Sequence, residues 1–147
     1  MKKAAILISA ILATGCGAPE NMFLIEGYVP TLKDSTRLVL TRFESDVLVP
    51  VDTAYATKGR FSFRYPATDK GRLAILTFSD DVSDMFLPLW SAPGKKAVIT
   101  GDNNYKRTWS VKSRIPEQRA AERYKQAAKK EYEKLQQISM EYRKLSS

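Results

Sequence analysis

Arg60-Phe61-Ser62-Phe63-Arg64-Tyr65 is the stretch that decides the fold. Aromatic side chains take every second position, and Arg, Ser and Arg take the others. Successive side chains of a β-strand point to opposite faces. This stretch therefore reads as a strand with one wet face and one core face. Lys58-Gly59 precedes it, where glycine supplies the positive φ of a tight hairpin.

The same period extends in both directions. Phe23, Ile25 and Val29 alternate with Leu24, Glu26 and Tyr28. Leu38 and Leu40 follow a turn at Lys33-Asp34-Ser35, and Val47, Val49 and Val51 follow Glu44-Ser45-Asp46. Arg72 to Phe78 is evenly apolar and reads as a central strand. Met85 to Trp90 is another run, which Pro88 demotes to an edge or bulged position. Turns at Pro93-Gly94 and Gly101-Asp102-Asn103-Asn104 introduce Lys96 to Thr100 and Tyr105 to Val111. About eight short strands over residues 22–112 predict a mainly β, antiparallel β-sandwich-like domain. Its size suits one core.

The composition changes at Ser113. Pro116 stands where a helix can begin. From Glu117 to Leu145 there is neither Gly nor Pro, and Ala, Glu, Lys, Arg and Gln dominate. Residues 113–147 are therefore expected to form one long helix, reaching about 45 Å. Apolar residues recur at three-four spacing, at Ala121, Tyr124, Ala128, Leu135, Ile138, Tyr142 and Leu145, with Glu131 as an interruption. One reading packs this stripe on the protein's own sheet. The other leaves Tyr124, Leu135, Ile138, Tyr142 and Leu145 as a contact for a partner, because the helix is long for one small sheet to cover.

The N-terminus bears on location. Lys2 and Lys3 form a basic head, Ala4 to Ala13 an uncharged apolar run, and Ala13-Thr14-Gly15 lead into Cys16. This is the layout of a secretory signal peptide, too short for a membrane-spanning helix. The cysteine makes it resemble a bacterial lipoprotein signal. Residues 1–15 are then the signal peptide, Cys16 carries the lipid, and residues 16–21 form a tether. Two or more acyl chains give stable anchoring. The expected location is a cell or outer membrane, lipid-anchored. Glu20 is the lone acid shortly after Cys16, which favours the periplasmic side.

Composition excludes much chemistry. The chain has no histidine and a single cysteine, which the lipid consumes. Ser-His-Asp and Cys-His catalysis, zinc sites with Cys or His ligands, and Cys-X-X-Cys redox pairs are out of reach. No enzyme activity, metal or cofactor is expected. The net charge of +8 raises nucleic acid as a partner, which an exported protein rarely meets, so none is expected. Arg60, Arg64, Lys70, Arg72, Lys95, Lys96, Lys106 and Arg107 are spread out and read as solvated strand faces. Contact with anionic lipid head groups is the sharper reading of the same residues.

Two further groups of residues have the composition of binding sites. Asp80, Asp81 and Asp84 form an acidic loop whose spacing does not match an EF-hand, and it reads as solvated. Trp90, Tyr105 and Trp109, with Tyr28, Tyr55 and Tyr65, serve either as core packing or as a stacking platform for a glycan or peptide.

Several segments carry a family resemblance. Phe23-Leu24-Ile25-Glu26-Gly27 opens the first strand, and Gly59-Arg60-Phe61-Ser62-Phe63 stands mid-domain. Ala92-Pro93-Gly94 precedes Ala97-Val98-Ile99-Thr100-Gly101-Asp102, followed by Trp109-Ser110-Val111 and a charged helix. In order and spacing, Met22 to about Tyr124 resembles a Bacteroidota lipoprotein domain of unknown function. That domain usually precedes a thioredoxin-like domain, in proteins of the thiol:disulfide interchange or AhpC/TSA type. This chain has no Cys-X-X-Cys, so redox activity is not implied. The resemblance implies a stand-alone, non-catalytic envelope module whose helix faces a protein partner, with a thioredoxin-like protein as its direction. The alternative is a glycan- or peptide-binding sandwich.

Overall fold

A computed structural model describes residues 18–147. The expected signal peptide and Cys16 lie outside the described residues. Within them, eight strands form two four-stranded sheets. The first has the order β4-β1-β7-β8, built from Arg60–Pro66, Met22–Tyr28, Lys95–Thr100 and Ser110–Ser113. The second has the order β3-β2-β5-β6, built from Val47–Tyr55, Arg37–Glu44, Gly71–Phe78 and Leu87–Ser91. A 3-10 helix at Lys106–Thr108 precedes β8, and helices α1 (Pro116–Ala127) and α2 (Lys129–Ser146) complete the chain.

Alternation places the core. Phe23, Ile25, Phe61 and Phe63 of the first sheet meet Leu38, Leu40, Leu73, Ile75, Leu87 and Leu89 of the second. Each large side chain buried this way contributes about 1.5–3 kcal/mol. Arg60, Ser62 and Arg64 point out to water, as the aromatic alternation requires. β5 is internal and β6, with Pro88, is an edge strand. One pairing departs from the antiparallel expectation, since β1 runs parallel to β7. Parallel neighbours need a long crossover, and here the chain builds the whole of the second sheet, and β4, between them.

Two hairpins have two-residue turns with positive φ at both central positions, the type that suits the twist of paired strands. They are Ser45-Asp46 (φ 46° and 67°) and Lys58-Gly59 (φ 50° and 74°). Asp34 accepts a hydrogen bond from the Lys58 N–H at 2.7 Å and steadies the second turn. The described part of the expected tether is folded rather than loose. Ala18 is buried, and the Met22 N–H donates to the Pro19 carbonyl at 2.8 Å.

Candidate functional site

The hairpin joining β3 to β4 links the two sheets on one side. On the other side, β6 and β8 are free edges, whose unpaired N–H and C=O groups need partners. The helix α1 supplies them with polar side chains. Gln118 Oε1 accepts from the Trp90 N–H of β6 at 2.8 Å. Glu122 Oε1 accepts from the Val111 N–H of β8 at 3.1 Å. Lys125 Nζ donates to the Trp109 carbonyl and pairs with Glu122 Oε2 at 2.7 Å. Burial lowers the Lys125 pKa, and Glu122 opposes the shift.

The helix α2 continues the pattern. Gln136 is fully buried, and its Oε1 accepts from Ser83 Oγ at 2.7 Å and from the Arg107 N–H at 3.0 Å. Its Nε2 donates to the Tyr132 carbonyl at 3.0 Å. Ser139 Oγ donates to Asp84 at 3.0 Å. Arg143 donates to the carbonyls of Asp80 and Val82 at 2.9 and 3.0 Å. These contacts tie down the acidic loop, whose Asp81 also pairs with Lys33 at 3.5 Å. Among the described residues no three acids converge as a metal site.

The helical strap is thus polar inward and apolar outward. Tyr124, Leu135, Ile138, Tyr142 and Leu145 are 71, 52, 54, 72 and 88% exposed. The reading that packed this stripe on the protein's own sheet is therefore corrected. The reason is energetic. A sandwich edge presents backbone donors and acceptors, and each one buried without a partner costs about 1–3 kcal/mol. An apolar face laid on those edges would orphan them.

The expected C-terminal helix is present, with one break that divides it into α1 and α2. Ala128, with φ −102° and ψ 16°, leaves helical geometry between α1 and α2. Hydrogen bonding carries across the break, from Ala128 N–H to the Tyr124 carbonyl and from Tyr132 N–H to the Ala128 carbonyl.

Lys106 departs most from its expected place. Read as part of a solvated face, it is fully buried. Its Nζ donates to Thr77 Oγ1 at 2.6 Å and to the Ser83 carbonyl at 2.9 Å. Burial brings its pKa down to about 7; Asp84 opposes the shift and Arg143 adds to it. The side chain pins the acidic loop beneath the strap.

The three candidate ligand-stacking residues do not share one surface role. Trp109 lies in the core, 1% exposed, with Nε1 donating to the Asn103 carbonyl at 2.8 Å. Its ring packs on Phe61, and Gly101 leaves the room it fills, so it has no free face to stack on a sugar. Tyr105 is half-buried next to the 3-10 helix. Trp90 ends a chain of aromatic and guanidinium groups on the outside of the second sheet. Arg72 lies over Phe43 at 5.0 Å and near Trp90 at 5.8 Å, Phe43 meets Phe86 edge-on at 5.9 Å, and Arg107 lies 5.3 Å from both Phe86 and Tyr132. A cleft of about 270 Å³ opens at the Arg107 end, lined also by Pro88, Tyr124 and Tyr132. The arginines in this chain were visible in the sequence, but only the register of β5 and β6 sets Arg72 beside Trp90, and only the 3-10 helix brings Arg107 to Phe86.

Sequence and geometry together define a class, a β-sandwich whose open edges are closed by a polar-inward helical strap. The chain belongs to the family described as Domain of unknown function (DUF4369), which matches residues 23–120. The match runs from β1 into α1, and α2 lies beyond it. Neither a curated protein nor a solved structure matches the chain. No helix among the described residues is long and apolar enough to cross a membrane.

Proposed function

We propose that the protein is a non-catalytic, lipid-anchored cell-envelope module that holds another polypeptide through the outer face of α2. The observation that carries this reading is the outward stripe Leu135, Ile138, Tyr142 and Leu145, which the domain itself leaves uncovered. Contiguous exposed apolar surface of this kind marks interaction sites. Anchoring rests on the lipoprotein-like signal ending at Cys16, and a mature N-terminus without lipid would remove that half. The family resemblance supplies a thioredoxin-like envelope protein as a candidate partner. In-cell photo-crosslinking from Ile138 tests the contact. The expected product is a discrete adduct with another chain, absent when the crosslinker is placed at the exposed Ser62 on β4, the edge of the first sheet opposite β8. Adducts confined to the protein's own strands would overturn the reading.

A second reading has its own observation, the chain of aromatics and guanidiniums ending in Trp90. Arginines lying over aromatic rings present bidentate donors to carboxylates. An acidic glycan or peptide would lie across Arg72 and Arg107. Polygalacturonate is the probe. Binding that weakens steeply with salt and is lost in Arg72→Gln/Arg107→Gln is the expected result, and unchanged binding in that variant, or none in the parent, dismisses it.

A further inference from the structure

The outward stripe has the spacing of a coiled-coil seam, and its charges specify what it accepts. Leu135 and Tyr142 hold one core position of the repeat, with Ala128 before them. Glu131, Ile138 and Leu145 hold the other. Lys134 and Glu141 flank the seam on the solvent side and are exposed. Tyr132 and Ser139 flank it on the side of the domain and are half-buried. In a coiled coil the core positions set the register and the flanking charges choose the partner and its direction.

From this seam we infer that the occupant of the α2 face is a second copy of the same helix, running antiparallel. This inference rests on α2 being the contact element. In the antiparallel arrangement centred on α2, Leu135 meets Ile138 of the other copy, Tyr142 meets Glu131, and Ala128 meets Leu145. The two-fold axis repeats each pair. The seam's one polar residue then lies beside a phenol, whose O–H donates to the Glu131 carboxylate. Lys134 faces Glu141 across the seam on the solvent side, twice by symmetry.

The alternatives are penalised. Slipping one heptad one way sets Glu141 against Glu141 of the other copy. Slipping one heptad the other way sets Lys134 against Lys134. A parallel pair puts the two Glu131 carboxylates in one core layer. Like charges in contact argue against all three, and this is how interfaces reject wrong registers. Of these arrangements, the centred antiparallel register alone sets Lys134 against Glu141, keeps the two Glu131 carboxylates apart and uses the whole of α2.

The test uses charge exchange at exposed positions, which leaves the fold untouched. Light scattering of the full chain in solution should show a dimer. Lys134→Glu alone and Glu141→Lys alone should each weaken it, by about tenfold in dissociation constant or more. An equimolar mixture of the two variants should form a heterodimer, and the double variant should dimerise like the parent. Ile138→Glu should give a monomer. A monomeric parent overturns the inference, as does a dimer indifferent to these charges. If the parent is monomeric while Ile138 crosslinks to a different envelope protein in cells, self-pairing is wrong and the contact role of α2 stands. If neither occurs, both fall.

Discussion

Between pH 7 and pH 10.5 Lys106 is expected to add to the stability of the protein as pH rises, by up to about 1.4 kcal/mol per pH unit. The sign follows from the two states. In the folded chain burial lowers the Lys106 pKa from 10.5 to about 7, so above that value the side chain is neutral. In the unfolded chain it stays charged until about 10.5. The unfolded state therefore binds more protons across this window, and stability rises with pH. Below pH 7 both states are charged, the cost of burying the ammonium is fully present, and the slope from this group vanishes. Asp84 and Arg143 act on Lys106 in opposite directions and leave desolvation as the controlling cause. The measurement is the urea midpoint across the window for the parent and for Lys106→Met. Every other ionisable group is common to both proteins, so the difference isolates Lys106. The parent should show the steeper rise. Equal slopes would mean that water reaches Lys106 Nζ in solution.

Lys106 also shows where sequence reading stops. The strands were legible because alternation is a local signal. Phe61, Phe63 and Phe23 announce their face within a few residues, and Lys58-Gly59 announces its turn. The parallel pairing of β1 with β7 was not, because no local pattern encodes which distant strand lies alongside. The same blindness covers Lys106. Its neighbours in the chain are polar, and only the tertiary approach of Thr77 and Ser83 encloses it.

The strap inverts the usual rule for helices. An apolar stripe on a helix normally marks the buried face, and the stripe from Tyr124 to Leu145 was legible as a stripe. Its direction was not. Direction is decided by Gln118, Glu122, Lys125 and Gln136, whose polar ends complete the hydrogen bonding of strand edges and loops. A polar stripe at the same three-four spacing was present in the sequence and was the missed signal. The need of an open sandwich edge for polar partners is what turns that stripe inward. The candidate site was therefore legible in its residues, while its exposure became legible only with the fold. The break at Ala128 was hidden for a related reason, because alanine carries no helix-ending signal.

Gly27→Ala is expected to cost stability at or above the upper end of the 1–3 kcal/mol typical of overpacking. Gly27 sits opposite Phe61 in the β1–β4 ladder. A Cβ there would stand 2.1 Å from Phe61 Cζ and within 2.4 Å of both adjacent ring carbons. The ring cannot simply move. It packs against Phe63 at 6.2 Å and Trp109 at 6.3 Å between ring centres. Trp109 is itself held over Gly101, where an added Cβ would come within 2.5 Å of its ring. Two glycines thus seat two aromatics, and each locks the other. Aromatic rings covering cross-strand glycines are a recognised way to fix strand register, so the cost falls on this pair of residues rather than on β1 in general. The informative measurement is a double-mutant cycle from denaturant midpoints with Phe61→Leu. Phe61→Leu alone opens a cavity and destabilises. Combined with Gly27→Ala, it removes the ring that the new methyl strikes, so the pair should be less damaging than the sum. Residues in contact couple by about 0.5–3 kcal/mol. Additive costs would show that Phe61 does not rest on Gly27 in solution, and the seat assigned to Trp109 would then lose its support as well.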